Sequence, residues 1–82
     1  MIQISCVLLE DDALAKLEEF ASQHGYTISN GNAPQYKILK KPGCFDALGV
    51  SKALYDISCF HSMNVAPGYW EVLPDEEIAS NG

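Results

Sequence analysis

The chain predicts an α+β fold of the split βαβ, ferredoxin-like kind: a four-stranded antiparallel sheet with two helices on one face. Three observations carry this expectation. The hydrophobic period reads, in order, strand, helix, strand, strand, helix, strand. Turn and stop signals at His24-Gly25, Asn30-Gly31, Pro42-Gly43 and Ala66-Pro67-Gly68 fall between those segments. The right-handed crossover rule makes this arrangement the simplest way to bury both apolar helix faces.

Each element has its own reason. Ile2, Ile4, Cys6 and Leu8 alternate with Gln3, Ser5, Val7 and Leu9, which is strand periodicity. Glu10-Asp11-Asp12 ends that strand, and Asp11 or Asp12 is expected to cap a helix whose positive end suits these acids. Ala13, Leu14, Leu17, Phe20, Ala21 and His24 recur at helical spacing, opposite Lys16, Glu18, Glu19, Ser22 and Gln23. Gly25 followed by Tyr26 is a helix stop. Tyr26 to Ser29 reads as a short strand, and Asn30-Gly31 opens a loop that runs to Gln35 because Pro34 cannot pair in a strand interior. Tyr36 to Lys41 is the third strand. A helix follows from Ser51 to about Asn64, with Cys44 to Val50 either its first turns or a separate turn. Ala66-Pro67-Gly68 breaks the chain, and Tyr69 to Leu73 is the last strand, with Trp70 and Val72 on one face. Residues 1–74 are expected to form a single α+β domain, and residues 75–82, PDEEIASNG after its proline, a flexible acidic C-terminal tail.

A chain of 82 residues makes one domain. At this size roughly 60% of the unfolded surface is buried, so the core is small and a partner or self-association would add stability. The N-terminus lacks a basic lead segment, and its apolar run is too short for a signal peptide. No stretch approaches the ~20 apolar residues that cross a bilayer. A cytoplasmic location is therefore expected, with the three cysteines reduced.

Eleven acids face five bases, all of them lysine, for a net charge of −6. Nucleic-acid binding needs cationic neutralisation of phosphates, with arginine as the usual bidentate reader, so direct nucleic-acid binding is not expected. Anionic membranes are disfavoured on the same ground. A protein partner with a basic surface is favoured, since opposite potentials speed encounter.

Metal and thiol chemistry centre on CFDALGVSKALYDISCFH, residues 44–61. On a helix, Val50, Ala53, Leu54, Ile57 and Phe60 share one face, and Cys59 points about 160° from Ile57. Cys59 and His61 then diverge and cannot share a metal. Cys44 and Cys59 stand roughly 22 Å apart along the helix axis, against zinc–ligand distances of ~2.0–2.3 Å. No zinc and no other cofactor is expected on that reading; were DISCFH a strand, positions 59 and 61 would point the same way and the site would return. Cys44 at a helix N-terminus would be a reactive thiol, against its plainer role as a small apolar turn residue. His24 and His61 sit at the edges of apolar helix faces, near C-terminal ends where imidazolium suits the dipole. Leu17, Phe20, Ile57 and Phe60 are expected in the core. No phosphate loop, dinucleotide fingerprint, nucleophile elbow or EF-hand pattern occurs.

The outward sheet face carries the positive expectation. With Ile2, Ile4, Cys6 and Leu8 toward the helices, Val7 and Leu9 point out. With Trp70 and Val72 inward, Tyr69 and Leu73 point out, and Lys37 and Leu39 join them. An apolar face of this kind marks an interface. The partner-binding set is therefore Val7, Leu9, Leu39, Tyr69 and Leu73 with the acids Glu10, Asp11 and Asp12. The chain reads as a small acidic protein-binding module that masks a partner's surface or self-associates as a homodimer. In composition it resembles the small inhibitors that phages make against host defence proteins. The alternative is a small-molecule-binding ferredoxin-like dimer with a ligand pocket between subunits. A third reading is an enzyme using such a pocket with His61, His24 or Cys44.

Overall fold

The structure, a computed structural model, describes residues 1–43 and 46–74. Among them the chain forms strand β1 (Ile2–Leu8), helix α1 (Ala13–His24), strands β2 (Thr27–Asn30) and β3 (Tyr36–Lys41), helix α2 (Ala47–Ser58), a 3-10 turn (Phe60–Met63) and strand β4 (Val65–Val72). The strands make one antiparallel sheet in the order β2-β3-β1-β4. The fold is α+β, with a four-stranded antiparallel sheet and two helices. No helix among the described residues is long and apolar enough to cross a membrane.

The core follows from the alternation in β1. Ile2, Ile4 and Cys6 are buried and meet Ala13, Leu17 and Ala21 of α1, Ala53 of α2, and Phe60 and Val65 beyond it. Leu17 and Phe60 are fully enclosed; Phe20 and Ile57 are half-buried against the same cluster. Helix α1 stops as its sequence requires: Gly25 takes a left-handed φ of 81°, and its N–H donates to Ala21 O. Its start departs from expectation. Asp12 occupies the N-cap but its carboxylate makes no capping bond, and instead pairs with Lys16 at 3.4 Å. Helix α2 does start with a side-chain cap: Asp46 Oδ1 accepts from Gly49 N–H at 2.8 Å. Residues 47–50 are thus its first turn, while Cys44 and the tail 75–82 lie outside the described residues.

Three expectations are corrected. Leu39, expected on the open face, is fully buried in the core, because β3 pairs Leu39 with Ile4 and so turns it toward the helices. Lys37 and Lys41 go with it. YKILKK has an apolar residue on either face, so alternation alone does not choose. The lysines sit at the ends of the strand, where long stems carry the ammonium to an edge. Lys37 Nζ donates to Asn30 Oδ1 at 2.7 Å, and Lys41 Nζ stands 5.3 Å from the centre of the Tyr26 ring.

The second correction concerns β4, which begins at Val65 and runs through Pro67-Gly68 instead of starting after it. Pro67 fits because β4 is an edge strand. The third concerns the end of the second helix. It closes at Ser58, and a separate 3-10 turn then carries Phe60 into the core and ends on Asn64 at φ 59°.

Candidate functional site

The face of the sheet away from the helices is built by the other half of the alternation. Gln3, Ser5 and Val7 of β1 stand opposite Lys40, Ile38 and Tyr36 of β3. On the other side of β1 the register slips between Ile4 and Cys6: Ile4 faces Trp70, Cys6 faces Pro67, and Ser5 alone spans Gly68 and Tyr69. This is a β-bulge. Ser5 Oγ closes it, accepting from Tyr69 N–H and donating to Tyr69 O, each at 2.9 Å. Gly68 is required by this approach, since a Cβ there would stand 2.5 Å from Ser5 Oγ.

The bulge and the 31–35 loop enclose a shallow groove of about 320 Å³ across the open face, walled by Ser5, Val7, Gly31, Tyr36, Ile38 and Gly68. Tyr36 and Tyr69 are exposed beside it. A second groove of about 290 Å³ lies where β1 ends, between Leu9, Glu10, Asp11 and Leu14 on one side and Pro34 and Gln35 on the other. Both grooves use the 31–35 loop as a wall. That loop is pinned at its base by Gly31 N–H to Tyr36 O at 2.9 Å and Leu8 N–H to Gln35 O at 2.7 Å. The acidic end of β1 is also fixed: Leu9 N–H donates to Asn64 O at 3.0 Å, and Glu10 Oε2 accepts from Asn64 Nδ2 at 3.2 Å.

The predicted residues thus divide. Val7 lines the open-face groove, while Leu9, Glu10 and Asp11 line the acidic one. Leu9 is 62% exposed, a strong departure for a leucine. Tyr69 borders the groove through its bonds to Ser5. Asp12 is exposed but occupied by Lys16. Leu73 pairs with Met1, six residues and about 20 Å of strand from Val7, and so lies apart from the others. Leu39 is core. Sequence reasoning missed Tyr36 and Ile38, because the facing of β3 was ambiguous, and it placed the 31–35 loop without foreseeing that it walls both grooves.

A second cluster lies on the helix side. Asp56 of α2 is buried, and its Oδ2 accepts from Tyr26 Oη at 2.9 Å. His24 Nδ1 is 3.7 Å from its other oxygen, and the His24 ring stacks on Phe20 at 4.3 Å between centroids. This group ties α1, the residue that leads into β2, and α2 together through one carboxylate. His61 is exposed on the 3-10 turn, away from any such arrangement. Cys6 is enclosed in the core, and burial pushes its thiol up from 9.0 to about 11, against a smaller lowering by Lys37. Among the described residues no three His, Cys, Asp or Glu side chains gather as a metal site.

Compared with known protein families, with curated proteins and with solved structures, the chain matches none.

Proposed function

We propose that this chain is a small acidic protein-binding module that docks a partner with a basic surface and acts by masking it. The observation that carries the reading is the junction of two unlike grooves around one loop: an open-face groove beside two exposed tyrosines, and a crevice holding Leu9, Glu10 and Asp11. Aromatic anchors with a charged rim are the usual anatomy of a protein interface. The net charge of −6 supplies the long-range attraction. We further read the arrangement as ferredoxin-like; the element order and the strand order β2-β3-β1-β4 support that reading.

The test starts with affinity capture from the native host, comparing wild type with Leu9→Lys and with a variant carrying amides at positions 10, 11 and 12. Leu9 is solvent-facing, so its replacement leaves the fold intact by circular dichroism. A partner held by wild type, shed as salt rises and lost in Leu9→Lys is the expected result. A partner retained by both folded variants places the interface elsewhere and overturns the reading.

A further inference from the structure

We propose that the outer edge of β4 is an interface to a second copy of this chain, paired antiparallel about a two-fold axis at Trp70. The sheet has two edges, and they are protected differently. β2 is only four residues long, and short edge strands resist added pairing. β4 is eight residues long and carries no lysine. Its one guard is Pro67, which lacks an N–H, and among the described residues no strand pairs with the edge beyond the bulge.

The ladder shows which groups that edge presents. Met1 and Leu73 exchange both hydrogen bonds, Leu73 N–H to Met1 O at 2.7 Å and Met1 N to Leu73 O at 2.6 Å. In an antiparallel pair such residues alternate with residues whose N–H and C=O point the other way. Val72 and Trp70 therefore turn their backbone groups outward. Their side chains lie on the helix side, opposite Ile2 and Ile4, yet remain 40% and 38% exposed. An apolar strand edge with free donors and acceptors is a template for another strand.

The side chains of β4 select the occupant and the register. Glu71 is the only charged side chain of β4. A two-fold at Glu71 would set two carboxylates directly opposite one another, which is destabilising. A two-fold at Val72 would set Trp70 against Pro74, which has no donor. A two-fold at Trp70 sets Trp70 against its own symmetry mate and each Glu71 against the Tyr69 of the other copy, where the phenol can donate to the carboxylate. The edge is thus complementary to itself. Because each copy carries a charge of −6, the pair is weak at low salt and tightens as salt screens the repulsion. Partner docking through the acidic crevice has the opposite salt dependence and uses other residues, so each reading can fail alone.

The experiment is sedimentation equilibrium from about 5 to about 500 µM at low and high salt, with amide hydrogen exchange at both ends of that range. We expect dimer at the top of the range, more of it at high salt, and exchange at Trp70 and Val72 slowed about tenfold or more relative to dilute protein. Leu73, already bonded to Met1, is the internal control. Val72→Pro removes an outward N–H without touching the β1 ladder, and should be a folded monomer. A chain that stays monomeric throughout overturns the proposal. So does a dimer in which the Trp70 and Val72 amides exchange as fast as in dilute protein. If Val72→Pro unfolds, the wild-type exchange data still decide.

Discussion

Asp56 stands in α2 three residues after Ala53, at the edge of the apolar face, and is 6% exposed. A buried carboxylate is tolerable only when its oxygens are engaged. Tyr26 supplies the hydroxyl and His24 the nearby imidazole. Tyr26→Phe should therefore cost about 1–3 kcal/mol, the penalty of leaving a buried acceptor short of a partner. Urea denaturation checks this, and Asp56→Ala should cost less in the Tyr26→Phe background than in wild type. Cys6 makes a second residue-level prediction. Its folded pKa of about 11 lies above the reference 9.0, so between those values the unfolded chain has lost the proton and the folded chain keeps it. Its contribution to stability is intact below pH 9.0 and is lost as pH rises toward about 11. Wild type should lose about 2–3 kcal/mol more than Cys6→Ala across that window, read as the difference between their alkaline denaturation curves.

At the scale of elements, the 3-10 turn rests on Phe60 and the β4 bulge on Ser5 and Gly68. Phe60 leaves α2 on that turn and is wholly enclosed, with Phe20 packed edge-on at 5.9 Å between centroids. Phe60→Ala should cost ~3–5 kcal/mol. Phe20→Ala, at a half-buried position, should cost less, about 1–3 kcal/mol. Equal losses in thermal or urea unfolding would contradict this packing. The bulge is equally exposed to test. Gly68→Ala brings a methyl into Ser5 Oγ and within 3.0 Å of Ser5 O, so backbone or hydroxyl must give way. We expect a loss of about 1–3 kcal/mol. Ser5→Ala, which forfeits the bonds to Tyr69, should lose about 1 kcal/mol. The two effects should not add, because both act on the same closure.

For the whole molecule, charge is the governing quantity. Three acids of the net −6 chain follow one another at the end of β1, where Glu10 and Asp11 line the second groove. Replacing Glu10, Asp11 and Asp12 with their amides should slow association with the captured partner roughly tenfold and flatten its salt dependence. On the proposed docking, dissociation should change less, since it would report the apolar contacts of Leu9 and the tyrosines. Stopped-flow measurements at several salt concentrations separate the two rates. An unchanged association rate would mean that the acids are merely solvated charge.

By itself the sequence determined the α+β class, with a four-stranded antiparallel sheet and two helices, and the inward face of β1. Those depend on local information: the period of apolar residues, and glycine or proline at the turns. Helix α1 was legible for the same reason, down to its stop at Gly25. The facing of β3 was not, because YKILKK divides its apolar residues between both sides; only pairing with β1 sent Leu39 inward and Tyr36 and Ile38 outward. Nor was the buried role of Asp56, which depends on a tyrosine thirty residues away in sequence. Of the expected docking residues, Val7, Leu9, Glu10 and Asp11 gather because consecutive residues at a strand end remain neighbours. Leu73 does not join them, and although the loop up to Gln35 was legible, its place as a wall of both grooves was not. Local periodicity specifies what each segment can bury. Which residues share a surface depends on strand register, and register is settled only when the strands meet.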